Sequence, residues 1–353
     1  MHALPQADVT PLRGGPSLRW GVIGPGGIAG DWVDTVLRNT GQRVVAVGSR
    51  SLERAERFAA EHGVERAVGS PEALVADAEV DAVYVATPHS EHRRLGVLAA
   101  DAGKHVLIEK PIGLTADDAI AVRDAARRAG VLAAEAMWTR YLPGFSVVAQ
   151  LLQNGDIGDV RLATADIGWQ VPRDAAPRLW DPAVGGGALL DMGVYAFWFT
   201  HFAIGAAHRI EAVGSFAAEG VDDQLAAVVS GADHRMAAVT VSMAAGNTGL
   251  GSIVGTAGWV RFLDPLVFPA RFVVRRGSDE QVWEDRSGLA MRDGLAWQST
   301  AIAQAVADGR TDSPVHPIES AIEVMRMLDT VRELITPVEH AEQGSEQGSA
   351  HRR

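Results

Sequence analysis

Short apolar runs recur along the first part of the chain: RWGVIG from Arg19, RVVAVGS from Arg43, DAVYVATP from Asp81, KHVLIEKP from Lys104 and GVLAAEA from Gly130. Most are rich in β-branched residues and end in Gly, Pro, Ser or Thr, as strands buried on both faces do. Between them, SLERAERFAAEHG from Ser51 and TADDAIAVRDAARRAG from Thr115 read as helices. The second has an N-cap residue at Thr115 and a stop at Gly130. Strand alternating with helix predicts a parallel sheet with right-handed crossovers, an α/β domain.

After Met137 the pattern changes. Strand-like runs follow one another without long helical gaps: GDVRLATADIGW, RIEAVGSF, QLAAVVSG, RMAAVTVSM, GSIVGTAG, WVRFLD and RFVVRR. That spacing predicts a large, open, mainly antiparallel sheet. Helices are expected from about Gly187 through ALLDMGVYAFWFT, over 293–308 and over 317–334. The second domain is therefore α+β, and one broad face of its sheet needs a cover, for which a second subunit is the natural candidate. The pattern divides the chain into a loose tail (1–16), a first domain (17–136), a second domain (137–338) and a polar, Gly/Ser-rich disordered tail (339–353).

Composition narrows the function classes. The chain has 353 residues, 47% hydrophobic and 22% charged, with a net charge of −12. Such a length suits two domains, and such an acidic balance argues against a nucleic-acid or anionic-membrane partner. Cysteine is absent, which removes disulfides, thiolate nucleophiles and Cys-ligated zinc. No apolar run approaches a membrane-spanning length and the first residues lack a signal-peptide core, so a cytoplasmic enzyme is expected.

The stretch WGVIGPGGIAG places Gly24, Gly26 and Ala29 in G-x-G-x-x-A spacing, after a strand and at the start of a helix. Gly24 permits the tight turn, Gly26 lets backbone approach a pyrophosphate, and small Ala29 permits close helix–strand packing. With Gly27 and Ile28, they form a phosphate-binding turn at a helix N-terminus, so the first domain is expected to be a Rossmann dinucleotide-binding domain. The second strand ends in Ser49 and Arg50 instead of the acidic residue that would hold a ribose diol. Arginine and serine there suit a 2′-phosphate, which predicts NADP over NAD.

Only Lys104 and Lys110 are lysines among the 32 basic residues. Lys110 stands at the mouth of the fourth predicted strand, between Glu109 and Pro111. Lysine can release a proton near neutral pH, and burial beside a cationic nicotinamide would push its pKa down. Further on, GGGALLDMGVY puts Asp191 and Tyr195 four apart on one helical face.

The G-x-G-x-x-A turn, the EKP motif at Glu109–Pro111 and GGGALLDMGVY resemble the glucose–fructose oxidoreductase/inositol dehydrogenase/MocA (Gfo/Idh/MocA) family over nearly the whole chain. EAMWTRYLP around Trp138, HSEH at His89–His92 and Tyr195, where many members carry His, resemble the branch of dimeric dihydrodiol dehydrogenases and NADP-linked sugar dehydrogenases. The resemblance implies a Lys110–Tyr195 catalytic pair, with the tyrosine as acid/base and its pKa depressed by the lysine. It also implies substrate contacts from Trp138, Asp191 and His92, and cofactor contacts from Thr87, Pro88, His89, Glu109, Lys110 and Arg178. Trp138 is otherwise core, Asp191 a structural hydrogen-bond partner and His92 a buried, satisfied histidine. The implied partners are a small-molecule substrate and further copies of the chain, as a homodimer or tetramer through the second-domain sheet, with no metal. Two other functions stay open: an NAD(P)-binding sensor without turnover, and an NAD-dependent inositol or amino-sugar dehydrogenase.

Overall fold

The computed structural model describes residues 3–336. The first sheet has six strands, β1 (Arg19–Ile23), β2 (Arg43–Gly48), β3 (Arg66–Val68), β4 (Ala82–Val85), β5 (His105–Glu109) and β6 (Ala133–Ala136). They pair in the order β3-β2-β1-β4-β5-β6, all parallel. Val22, Val83, Tyr84, Val106 and Leu107 have no exposed surface, because helices cover both faces: α1 (Gly27–Asn39), α2 (Leu52–His62), α3 (Pro71–Val75), α4 (His92–Asp101) and α5 (Ala116–Ala129). Strand order reverses between β1 and β4, so the carboxyl ends of β1, β4 and β5 open on one crevice, where doubly wound sheets bind ligands. The α/β reading holds. The short strand β3 is missing from the apolar pattern, because three residues carry no periodicity.

The second sheet has eight strands: β7 (Val160–Gly168), β8 (Arg209–Phe216), β9 (Asp222–Ser230), β10 (Met236–Ser242), β11 (Gly251–Gly255), β12 (Gly258–Phe262), β13 (Arg271–Arg276) and β14 (Asp279–Glu284). Their order is β14-β13-β12-β11-β7-β10-β9-β8, antiparallel except for β7 with β10. Side chains alternate between the faces. Ala163, Ala165, Ile167, Val229, Val239 and Val241 are buried under α7 (Val194–Ile204) and α9 (Ile318–Ile335). Leu162, Val213, Val228 and Met236 remain exposed on the open side. The domain also contains α6 (Pro143–Gln153) and α8 (Ala296–Ala307). Helix α9 packs on α5 and β6 as well, so it ties the two domains together.

Two expectations change. The segment 182–204 is long and apolar enough to span a membrane by length and composition, but 89% of its apolar window is buried inside the protein, as a core helix is. Residues 3–16 do not hang loose. Leu4, Ala7, Val9 and Leu12 pack against the core. The Asp8 amide donates to Ser146 Oγ (2.8 Å), and Gln150 Nε2 donates to the Gln6 carbonyl (2.8 Å). At the other end, Gln42 Nε2 donates to the Pro16 carbonyl (2.8 Å) and the Gly41 amide to the Leu12 carbonyl (3.2 Å). Apolar residues every few positions give this arm something to bury, a signal that its prolines and glycines hid. The expected 339–353 tail lies outside the described residues.

Candidate active site

Three strand ends and one helix build the site. Lys110 leaves β5 through a cis bond to Pro111, and its Nζ crosses to the second domain. There it donates to the Asp191 carbonyl (2.8 Å) and to Asp191 Oδ1 (3.2 Å). Asp191 lies in a π-helical turn, Leu189–Gly193, that leads into α7. A π turn disturbs the regular i→i+4 ladder and often marks a functional site; here a carbonyl of that turn faces Lys110. One helical turn on, the Tyr195 ring lies under the ammonium, with Nζ 4.9 Å from the ring centroid. Trp138 Nε1–H donates to the Tyr195 hydroxyl (2.9 Å). The indole therefore does more than wall a pocket: it occupies one lone pair of the phenol oxygen and leaves the phenol's own proton free for another acceptor. Phe268 stacks on Trp138 at 6.5 Å.

The charge states differ from those expected. Burial favours a neutral Lys110, but Asp191, Tyr195 and Glu109 outweigh it and hold the ammonium above its ordinary pKa. Burial pushes the Tyr195 phenol up to about 12 despite the opposing pull of Lys110. Asp191 is buried, yet Lys110, Arg178 and His89 hold it below the usual carboxylate range. The sequence alone suggests a depressed lysine and a depressed phenol. Asp191 reverses the first, and the apolar surroundings of the helix reverse the second.

The remaining candidates fall into three groups. Arg178 places a guanidinium nitrogen 3.6 Å from Asp191 Oδ1 while its side chain stays 56% exposed. It thus stands at the rim of the Lys110–Asp191 pair. His89 Nδ1 faces the Gly185 carbonyl (2.9 Å), which fixes the proton on that nitrogen; burial, His92 and Lys110 keep the ring neutral, with a pKa of about 3. Its Nε2 is then an acceptor. His92 does not fit the role of substrate contact. It has no exposed surface, and its two ring nitrogens lie 2.8 Å from the Pro111 and Thr87 carbonyls. It sits between the turn after β5 and the end of β4 as the buried-histidine alternative; burial holds its pKa down, so the neutral ring donates to one of these carbonyls at a time. Glu109 also points inward: Oε1 accepts from the Tyr84 hydroxyl and Oε2 from the Lys110 amide. Burial raises its pKa to about 7, so its carboxylate is spent inside the protein and not on a cofactor.

The crevice suits a dinucleotide. A Cβ on Gly26 or Gly27 would meet nothing within 4 Å, whereas one on Gly24 (φ +97) would strike the Ala86 carbonyl. The turn is thus tight on its protein side and open on the other. Helix α1 begins there without a side-chain cap, so its first N–H groups face the opening. Ala29 is fully buried against the sheet. Thr87, beside Pro88 at the end of β4, has a buried hydroxyl without a protein partner. Arg50 is exposed beside Ser49. The Ser49 Oγ accepts from the Ser51 amide (3.2 Å) and keeps its own proton to donate.

Sequence reasoning missed Glu135. Its Oε1 accepts from the Ile112 amide (2.9 Å) and its Oε2 meets His316 Nε2 (2.9 Å), all buried. It thus clamps the turn after Lys110 to the segment before α9. One signal existed: a lone acid inside the apolar run VLAAEAMW. Lys104, the other lysine, lies away from the site and donates to the Asp77 and Val80 carbonyls at 2.8 Å each.

Comparison with known proteins agrees with this architecture. Residues 18–136 match the family described as "Oxidoreductase family, NAD-binding Rossmann fold", and residues 145–261 match the "GFO/IDH/MocA C-terminal domain". The chain is 32% identical over 328 residues to the trans-1,2-dihydrobenzene-1,2-diol dehydrogenase of Bos taurus, covering 90% of this chain and 97% of that protein. Among solved structures, a 3-ketoreductase from Actinomadura kijaniata in complex with NADP and TDP-benzene is 29% identical, with a TM-score of 0.77 over 90% of this chain and 98% of its own. Levoglucosan dehydrogenase, in complex with NADH and levoglucosan, shares the fold at 20% identity, with a TM-score of 0.81 over 90% of this chain and 97% of its own. The chain belongs to the Gfo/Idh/MocA oxidoreductase family and is an NAD(P)-dependent oxidoreductase acting on alcohol groups.

Proposed function

We propose that the protein oxidises a secondary alcohol of a sugar or cyclic diol with NADP, and reduces the corresponding ketone in reverse. The observation that carries this is the stack of Trp138, Tyr195 and Lys110 at the crevice where β1, β4 and β5 end. Gly24, Gly26, Gly27, Ile28 and Ala29 would hold the pyrophosphate, Ser49 and Arg50 the 2′-phosphate, and Thr87, Pro88 and His89 the nicotinamide side. Bound there, the nicotinamide supplies the hydride acceptor.

Tyr195 is the proton-transfer group. In the ketone direction its phenol is protonated at neutral pH and can donate at once. In the alcohol direction it must first lose that proton, and the Lys110 ammonium and the Trp138 N–H stabilise the phenolate. Lys110 serves as a fixed cation and not as the exchanging acid, because Asp191 holds its charge. Asp191 and Trp138 would orient the substrate hydroxyls, with Arg178 at the rim. A cytoplasmic homodimer or tetramer, joined through the open face of the second sheet, completes the reading. The relatives named for a dihydrodiol and for a sugar support the substrate class, and the exposed Arg50 supports NADP.

The test is turnover of trans-1,2-dihydrobenzene-1,2-diol, levoglucosan, aldoses and inositols with NADP and NAD at equal concentration. We expect oxidation with NADP preferred. Tyr195→Phe and Lys110→Met should each lower kcat roughly 10²-fold while leaving the NADP Kd nearly unchanged. Near-normal kcat in either variant removes its assigned role. An NAD preference removes the 2′-phosphate assignment, and tight NADP binding with no alcohol oxidised favours a sensor.

A further inference from the structure

The Lys110–Asp191 pair depends on where the π turn begins, and a residue outside the recognised motifs sets that point. Asp222, the first residue of β9, reaches across to the start of the helix. Its Oδ2 accepts the Leu189 amide at 2.6 Å. Leu189 is the first residue of the π turn, where backbone N–H groups have no helical partner. Gly187, with φ +118, lies beneath the same carboxylate, and a Cβ there would overlap Asp222 Oδ1. Gly187 therefore leaves room for this contact, besides reaching a conformation that L-residues avoid. The Asp191 amide in turn donates to the Gly187 carbonyl (3.3 Å). The hairpin that carries Asp222 also holds the other end of the loop: Glu219 Oε1 accepts from Arg173 Nε (2.6 Å), and the Arg173 guanidinium covers the Trp180 ring at 4.1 Å. The segment from Arg173 to Leu189, which includes Arg178, is thus held by one hairpin at both ends.

We propose that Asp222 is a positioning residue: by fixing the Leu189 amide it sets the register of the π turn, and so places the Asp191 carbonyl and carboxylate against Lys110 Nζ. This rests on the catalytic reading of Lys110 and Tyr195 above. Asp222 touches neither of them. Its negative charge at a helix N-terminus also suits the dipole there.

The test compares Asp222→Ala with Asp222→Asn in the full-length protein. The asparagine oxygen still accepts the Leu189 N–H, so this variant should keep kcat within about 3-fold of wild type. Alanine should lower kcat roughly 10- to 100-fold, as a displaced catalytic group does, while the NADP Kd, set in the other domain, stays within about 2-fold. Hydrogen exchange of amides 187–195 should quicken in the alanine variant and not in the asparagine variant. That readout needs no substrate, so it stands even if no alcohol in the panel is oxidised and the functional reading fails. An alanine variant with wild-type kcat, or with kcat and NADP affinity lost together, overturns the proposal. If Asp222→Ala does not fold, the Leu189 amide of the wild-type protein decides: exchange as slow as in the α7 interior supports the contact, and exchange as fast as in exposed loops overturns it.

Discussion

Glu109 immediately precedes the site lysine, with both carboxylate oxygens turned into the protein. Burial raises its pKa from 4.5 to about 7. A carboxyl raised in the folded state contributes stability that is fully present below its unfolded pKa and is lost as pH rises through the folded one. The window therefore runs from about pH 4.5 to about pH 7, and the difference corresponds to about 3 kcal/mol. Glu109→Gln, which cannot ionise, should lack this loss. We expect urea unfolding of the wild type to weaken relative to the glutamine variant between pH 5 and pH 8, and parallel stability curves would refute the assignment. The same residue shows what sequence could and could not say. The strand end pointed to Lys110 and the i,i+4 spacing put Asp191 and Tyr195 on one helical face, but it was the family resemblance that marked those two as site residues. The direction of each pKa shift was not legible, since it depends on neighbours far apart in sequence, such as Asp191 and Lys110, 81 residues apart.

Among the elements, long periodic ones were legible and short or irregular ones were not. Helix α9 (Ile318–Ile335) lies within about a residue of the 317–334 stretch expected for it, and α5 announced itself through its caps, Thr115 and Gly130. The strands β3 and β14 and the helix α6 did not, because a brief or mixed-polarity segment offers too little pattern to read. The π turn was invisible because the contacts on it are tertiary: Asp222 accepts the Leu189 N–H, which a helix start would otherwise leave to water, and Lys110 donates to the Asp191 carbonyl, and both partners lie far away in sequence. The N-terminal arm is the clearest case of composition misleading. Leu4, Ala7, Val9 and Leu12 pack against the core, and the arm's hydrogen bonds run from α6 at one end to the start of β2 at the other. With each partly buried side chain contributing about 1 kcal/mol, deletion of residues 1–16 should lower Tm by about 5–10 °C. Calorimetry of the truncated protein checks this, and an unchanged Tm would show that the arm contributes nothing.

At the scale of the whole molecule, the second sheet has one face covered by α7 and α9 and one face bare. Cross-strand register lines up the bare side: Val213 stands opposite Ala226, Val228 opposite Ala238, and Met236 opposite Leu162. Val213 is 72% exposed and Val228 47%. Single exposed apolar residues are ordinary, but a row of them across adjacent strands of a broad sheet is a surface that gains by being covered. A two-fold pairing of identical faces places each such row against its own copy without leaving an open end for further growth. Charges of like sign at the centre of that contact would then face one another across the symmetry axis, desolvated and unpaired, which disfavours association strongly. Val228→Asp should therefore halve the mass in light scattering, from dimer to monomer or from tetramer to dimer. The cofactor crevice lies in the other domain, so the NADP Kd should not change. A wild-type protein that is already monomeric at micromolar concentration, or a variant that keeps the wild-type mass, would show that this face is not the one that joins subunits.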